Sequence, residues 1–404
     1  MSRRLFPYLL ALAFLAGAVV WGRTRGALDL EPPLSRIFPE ATTFQIQAGL
    51  QHAYAPDGTL LGWAATGTAN GYGGPMVLLV GIDTLGVVVG VEVVEQRETP
   101  IFWRMVRARD YFDLVAGTGF QELSYEYADA VAVTGATRSS DAIVASVRGA
   151  VALVAGEAFD VRIPLPKRPF EFGLLEVVIL ALFALGVVGH KMKGPIRRRL
   201  RWAGQLTGLL VLGFWKNSPI TLAKITAILS GYVPDLRTGL AIYLLLAGFL
   251  LTSVFYGRNL YCMYACPFGA AQRVVGVIGG FRVKLPRWSV RFMGSARNLI
   301  VFAALFMAFL TLQPALAGYE PFAALFSMKG TTLQWLLLFI VLVASLVLVT
   351  PWCNFFCPMR TFEIVVQDGK RWWMGRGSPP LEPDPEAPSD GGPSVPEPER
   401  GEST

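Results

Sequence analysis

Residues 240–267 read LAIYLLLAGFLLTSVFYGRNLYCMYACP. An uncharged apolar run ends at Tyr256, Arg258 follows, and Cys262, Cys266 and Pro267 close the stretch. Residues 332–358, TLQWLLLFIVLVASLVLVTPWCNFFCP, repeat the plan with Cys353, Cys357 and Pro358. These are all four cysteines of the chain. On a helix, positions i and i+4 share a face, so each pair can present two sulfurs together. The proline then discourages continuation of the regular backbone. If the two apolar runs lie side by side, four thiolates converge. An iron–sulfur cluster uses such ligands, and a tetrahedral zinc can use them too. The Cys-x3-Cys-Pro string matches the end of the bacterial ferredoxin run, but the full C-x2-C-x2-C-x3-C run is absent. A disulfide within a pair is poorly served by helical i,i+4 geometry and is disfavoured in a reducing compartment.

Working outward, the 404 residues are 53% hydrophobic and 16% charged. Soluble domains carry about 25% charged residues, so lipid-facing segments are expected. Apolar runs at Leu5–Trp21, Phe172–Gly189, Trp202–Trp215, Thr238–Tyr256, Asn298–Leu316 and Thr332–Thr350 give six spans. Pro219–Tyr232 is apolar again but holds Lys224, and reads as a re-entrant or interfacial piece. Lys and Arg cluster after the second, fourth and sixth runs and precede the first, so strict alternation puts them all on one side. The chain is thus expected to be a multi-pass protein of a bacterial inner membrane, with both termini and the cysteine motifs cytoplasmic. Only two histidines are present, His52 and His190. That excludes a pair of internal bis-histidine haems and argues against His-rich zinc or copper catalysis. The formal net charge of +7 sits between apolar runs, where it reads as topology; no direct nucleic-acid binding is expected.

The expected organisation is an N-terminal membrane anchor over residues 1–26, a soluble domain over 27–168, a membrane domain with five further spans over 169–377, and a tail over 378–404. The tail has 8 Pro and 7 acidic residues and cannot bury a core. In the soluble part, Met76–Ile82 and Gly86–Val94 are Val-rich strands joined by Asp83-Thr84-Leu85, and Ala130–Val133 is a third candidate. Ser139–Ala155 repeats apolar residues at helical spacing, with Ser139 or Ser140 able to cap its start. The fold class is an extracytoplasmic α+β domain joined to an all-α polytopic membrane domain. Between strand and helix, residues 134–140 read TGATRSS. Amide groups left free at such a helix start favour a phosphate, although a capped turn has the same spelling.

The soluble part resembles the FMN-binding domain of the NosR/NirI-type and NqrC/RnfG-type membrane redox proteins. Thr134, Gly135, Ala136 and Thr137 match the family's Ser/Thr-Gly-Ala-Thr, Ser139 takes its downstream Ser/Thr position, and Gly71–Asp83 and Glu98-Thr99-Pro100 are also similar. The resemblance implies FMN joined to Thr137 through a phosphoester by a flavin transferase. A flavin domain followed by spans with two CxxxCP motifs resembles the NosR/NirI family, in the shorter PceC-like layout without a C-terminal ferredoxin domain. It implies a redox electron-transfer component rather than an independent substrate-converting enzyme. Electrons would pass between the membrane, from quinol or an iron–sulfur centre on the four cysteines, and a periplasmic reductase, nitrous oxide reductase being the leading candidate. Two other roles stay open at this point: a membrane regulator of denitrification genes, and a copper-centre assembly factor.

Overall fold

The computed structural model describes residues 6–24, 29–71, 74–97, 103–104, 112, 115–122, 137–164, 170, 172–237, 239–280, 283 and 286–374. The N-terminal part is built on five antiparallel strands in chain order: β1 Thr43–Gln47, β2 Leu50–Tyr54, β3 Leu60–Asn70, β4 Pro75–Asp83 and β5 Val88–Gln96. The strands expected at 76–82 and 86–94 are therefore β4 and β5. β4 is buried along almost its whole length because both faces of the sheet are covered. Helix α2, Glu31–Ile37, packs Leu34 and Ile37 against Leu79 on one face. On the other, Met76, Leu78, Val80 and Ile82 meet the long helix α3, Thr137–Phe159. A strand covered on both faces has no need to alternate polar and apolar residues, which accounts for its MVLLVGI spelling. The β4–β5 turn is closed by Asp83 Oδ1, which accepts from the amides of Leu85 at 2.9 Å and Val87 at 2.8 Å.

Helix α3 begins at Thr137, so Ser139 and Ser140 lie inside it and do not cap it as expected. Its segment Ser140–Phe159 is long and apolar enough to cross a membrane. Instead Ile143, Val147, Ala150 and Val154 are buried in the sheet core. The close approach needs Gly67: a Cβ there would meet the carbonyl oxygen of Ser146 at 1.7 Å.

Most of the remaining helices are apolar. Three are long enough to span: α1 Phe6–Thr24, α4 Leu174–Lys191 and α9 Arg287–Thr311. Two shorter ones are α7 Leu240–Tyr256 and α11 Thr332–Ser345. The expected span 202–215 is the far half of a continuous rod, α5 Gly194–Thr207 running into a π-helical segment Gly208–Trp215. Helix α9 starts well before the expected Asn298, carrying Arg291 and Arg297 that read as loop charges in the sequence. The run expected at 332–350 stops at Ser345, and Thr350 takes a left-handed backbone with φ 44°. Residues 219–232 hold the short helix α6, Leu222–Leu229, capped by Thr221 Oγ1. Helix α1 packs on α9, with Gly22 pressed against Phe309 and Leu312.

The sheet is seated on the helical part. Asn70, at the end of β3, donates from Nδ2 to the carbonyl of Val233 at 3.3 Å. Arg97, just after β5, donates from Nη1 to the hydroxyl of Tyr232 and to the carbonyl of Leu312, and pairs with Glu95. The expected third strand, the segment 98–100 and the tail lie outside the described residues.

Candidate functional site

After α7 the chain reverses at Gly257, with φ 63°, and turns back into the helical body. A π-helical turn, Tyr261–Ala265, carries Cys262. Cys266 is extended, with φ −63° and ψ 114°, and caps helix α8, Pro267–Gly279. The second copy repeats this course. A short helix α12, Pro351–Phe355, carries Cys353. Cys357 is extended, with φ −67° and ψ 120°, and caps helix α13, Pro358–Trp373. In both copies proline is the first helical residue, where its fixed φ and missing N–H suit a helix start. The proline therefore opens the next helix. The two cysteines of a copy do not share one regular helical face as the spacing suggested; the first lies on a helical turn and the second is the extended cap that follows.

The copies lie deep between the helices. A Cβ on Gly204 would meet the carbonyl of Tyr264 at 2.8 Å, one on Gly208 the carbonyl of Ala265 at 2.3 Å, and one on Gly213 would meet Pro267 at 3.2 Å. The first copy thus climbs along the rod of residues 194–215 almost to its far end before α8 descends. Gly279, at the end of α8, abuts Leu346 just past α11. The first motif therefore runs back between the helices instead of lying in a loop beyond their ends.

The copies meet at Gly269. A Cβ at this residue would lie 3.7 Å from Cys266 Sγ and 3.7 Å from Cys353 Sγ. Gln272, also on α8, joins them: Oε1 accepts from the Trp352 amide at 2.9 Å, and Nε2 donates to Cys353 Sγ at 3.5 Å. The four thiols lie within electrostatic reach of one another, and Cys262, Cys266 and Cys357 sit in an apolar cluster with Tyr261, Phe268, Phe322 and Trp352. Asn259 Oδ1 accepts from the Cys262 amide at 3.3 Å, and the Asn259 amide donates to Glu363 on α13 at 3.2 Å. Arg297 is buried, and its guanidinium donates to the carbonyl of Asn354 at 3.0 Å, Thr361 Oγ1 at 3.2 Å and Asn298 Oδ1 at 3.4 Å.

Two loops roof this centre. The Tyr261 hydroxyl accepts from the Ile220 amide at 3.1 Å, and the Tyr319 hydroxyl donates to the Phe356 carbonyl at 2.7 Å. Glu320 Oε1 accepts from the Leu222 amide, joining one loop to the other. Burial pushes the Glu320 carboxyl up to about 7.

The donor set limits what this centre can hold. Among the described residues, no group of three or more His, Cys, Asp or Glu is close enough to bind a single metal ion. A tetrahedral zinc with Zn–S near 2.3 Å needs sulfurs about 3.8 Å apart. Thiols alone, in an apolar box, fit a polynuclear iron–sulfur cluster, for which thiolates are the standard ligands. Buried thiols would release their protons and ligate as thiolates when the cluster binds.

Of the flavin-site residues, Thr137 is the first of α3 and Ser139 lies in its first turn; Thr134, Gly135 and Ala136 lie outside the described residues. Trp352, which reads in sequence as membrane belt, is 1% exposed and ringed by Phe268, Phe322, Tyr319 and Phe356. Trp373, at 83%, keeps an exposed position. Glu176 is buried and accepts from the Gly173 amide at 2.9 Å, capping α4. His52 stacks near Tyr54, and His190 meets the Tyr256 ring edge-on. Gln272, Arg297 and Glu320 are site residues that the sequence reading missed. Their only trace is a polar residue standing alone in an apolar or motif-flanking stretch.

Comparison with known proteins defines the class. Residues 71–152 match the FMN-binding domain family, and residues 238–286 and 332–375 match the 4Fe-4S binding domain family. The chain is thus a protein of apolar helices that joins an FMN-binding domain to a 4Fe-4S binding domain. It is 26% identical over 203 residues to Protein NirI of Paracoccus denitrificans, covering 46% of this chain and 30% of that protein. It is 22% identical over 209 residues to Regulatory protein NosR of Pseudomonas aeruginosa and to that of Stutzerimonas stutzeri, in each case 48% of this chain and 29% of the relative. The chain is thus similar in part to NirI and NosR proteins, and the match spans under a third of the length of these relatives.

Proposed function

We propose that the protein is a membrane-bound electron-transfer flavoprotein that exchanges electrons between an iron–sulfur centre in the membrane and a periplasmic reductase. Cys266 and Cys353, from two distant stretches and meeting at Gly269, carry this reading, with Cys262 and Cys357 in the same apolar cluster. Cys262, Cys266, Cys353 and Cys357 would hold a 4Fe-4S cluster, which supplies one-electron redox chemistry when bound. The apolar rings around Trp352 exclude water, and Gln272 fixes Cys353. FMN would be attached to Thr137 as a phosphoester. In the proposed topology the chain crosses an inner membrane six times, with the sheet-bearing part periplasmic and both termini cytoplasmic, and the motifs re-enter the membrane from the cytoplasmic end. Nitrous oxide reductase is the proposed partner and quinol the proposed donor.

Analysis of purified protein for iron and acid-labile sulfide tests the cluster: about four of each per chain is expected, and zinc without sulfide would overturn it. In-gel fluorescence of the denatured chain tests the flavin link: it is expected in the wild type and absent in Thr137→Ala. The regulatory name of the NosR relatives supports a second reading, a membrane regulator whose redox state is the signal. Deletion separates the two. Loss of reductase activity at normal transcript level supports electron transfer, and loss of transcript supports regulation.

A further inference from the structure

The docked end of the sheet is also the end at which helix α3 begins. Phe159, at the far end of α3, packs its ring 5.1 Å from that of Trp63 early in β3. Ser146 lies against Gly67, later in β3, and donates from Oγ to the carbonyl of Met76 at 3.3 Å. The helix therefore advances along β3 toward Asn70 as its residue numbers fall. From Ser146 back to Thr137 it rises about 13 Å more at 1.5 Å per residue, which carries Thr137 past the level of Asn70 and its partner Pro75, beyond that end of the sheet. That row of residues, with Arg97, is the one seated on the helical part. Arg97 is 8% exposed, its guanidinium 5.3 Å from the centre of the Tyr232 ring.

The surface beneath is formed by the two loops that roof the cysteines. Tyr232 and Val233 follow α6; Ile220, which meets Tyr261, precedes it. Leu312 opens the second loop, and Tyr319 and Phe322 further along it reach Phe356 and Trp352. Helix α6, the spacer between the two sides of the first loop, is about 12 Å long. That is well under the roughly 30 Å of a hydrocarbon core.

We infer that this seating is the electron-transfer geometry: the Thr137 end of the sheet domain and the four-cysteine centre face opposite sides of the same two loops, and Arg97 and Asn70 hold them there. The inference rests on the FMN and iron–sulfur assignments made above. Within it, one electron passes directly between reduced flavin and oxidised cluster; one is oxidised, the other reduced, no bond forms or breaks, and no quinone intervenes. Arg97 is a positioning residue, touching neither group.

The test uses the full flavin- and iron-loaded chain in quinone-free detergent. The flavin is photoreduced by a flash in the presence of EDTA, and bleaching of the iron–sulfur absorbance is followed. The wild type is expected to transfer without added quinone. Arg97→Ala is expected to be at least tenfold slower and Arg97→Lys intermediate, with flavin content, iron content and both midpoint potentials unchanged. As a second measurement, Asn70→Cys combined with Val233→Cys is expected to crosslink on mild oxidation and to keep the wild-type rate. An unchanged rate in Arg97→Ala, failure to crosslink, or loss of transfer in the crosslinked chain overturns the inference. Absence of flavin or iron from the wild type would defeat the cofactor assignments instead, and crosslinking, which needs neither, would still judge the seating.

Discussion

The two CxxxCP copies follow nearly the same backbone and live in different surroundings. The extended caps Cys266 and Cys357 differ by only a few degrees in φ and ψ, and a proline opens the next helix in each. The first copy is held largely by close packing, with Asn259 Oδ1 on the Cys262 amide and Gln205 Nε2 donating to the Met263 carbonyl beside it. Gly186 and Gly189 of α4, and Gly204 and Gly208 of the neighbouring rod, leave room for Leu260, Tyr264 and Ala265. Small residues that let backbones approach are how helices associate in lipid, where no hydrophobic force separates protein from solvent. The second copy is held by polar groups: Arg297 on the Asn354 carbonyl, Gln272 on the Trp352 amide, and Arg360 paired with Glu363 at 3.0 Å. One sequence pattern thus encodes a common backbone, while packing fixes one half of the centre and charge tunes the other.

The comparison breaks most completely if one copy can do without the other. Cys357→Ser is expected to reduce bound iron to background even though the first copy is intact; iron retained at half the wild-type level would mean two independent sites. Next in size, Gly208→Ala drives a methyl into the Ala265 carbonyl, and overpacking of this kind costs about 1–3 kcal/mol. A lower melting temperature with disturbed iron binding is expected, and a variant that melts like the wild type would refute a first copy held largely by close packing. Arg297→Gln removes a buried positive charge beside the second copy, worth on the order of 1 kcal/mol to a nearby negative centre. Redox titration is expected to find a more negative cluster potential, largely restored in Arg297→Lys; equal potentials in all three proteins would leave Arg297 a purely structural role.

The smallest effect is expected at Glu320, which ties the loop over one copy to the loop over the other. Its carboxyl is harder to ionise folded, near 7, than unfolded, near 4.5, so the folded state binds the proton more tightly. This contribution to stability is fully present below about pH 4.5 and is lost as pH rises through about 7. Glu320→Gln is expected to flatten the pH dependence of the melting temperature over that window, and an unaltered profile would show that the carboxyl is not protonated there.

The parts legible in sequence are those where one signal suffices. β4 announced itself as an unbroken apolar run, and the four cysteines by repeated spacing. β1 to β3 escaped because β1 is a mostly exposed edge rich in Gln, β2 spans five residues, and β3 is filled with Gly, Ala and Thr to admit α3. The depth of the motifs escaped for a different reason. Counting alternating spans places any loop at a membrane face, and nothing in YCMYACP marks a chain that turns back inward. Trp352 and Gln272 meet only through that turn, so neither their spacing nor their chemistry could announce the contact.

The paired caps carry one more consequence. Cys266 and Cys357 each stand at the start of a helix, α8 of 13 residues and α13 of 16. The peptide dipoles of a helix sum to about half a positive charge at its first turn. In the proposed cluster two such ends would face the ligand sulfurs, offsetting their charge and favouring an added electron. The prolines that end each motif therefore do electrostatic as well as steric work, since opening a helix at that point aims its positive pole at the sulfur one residue before.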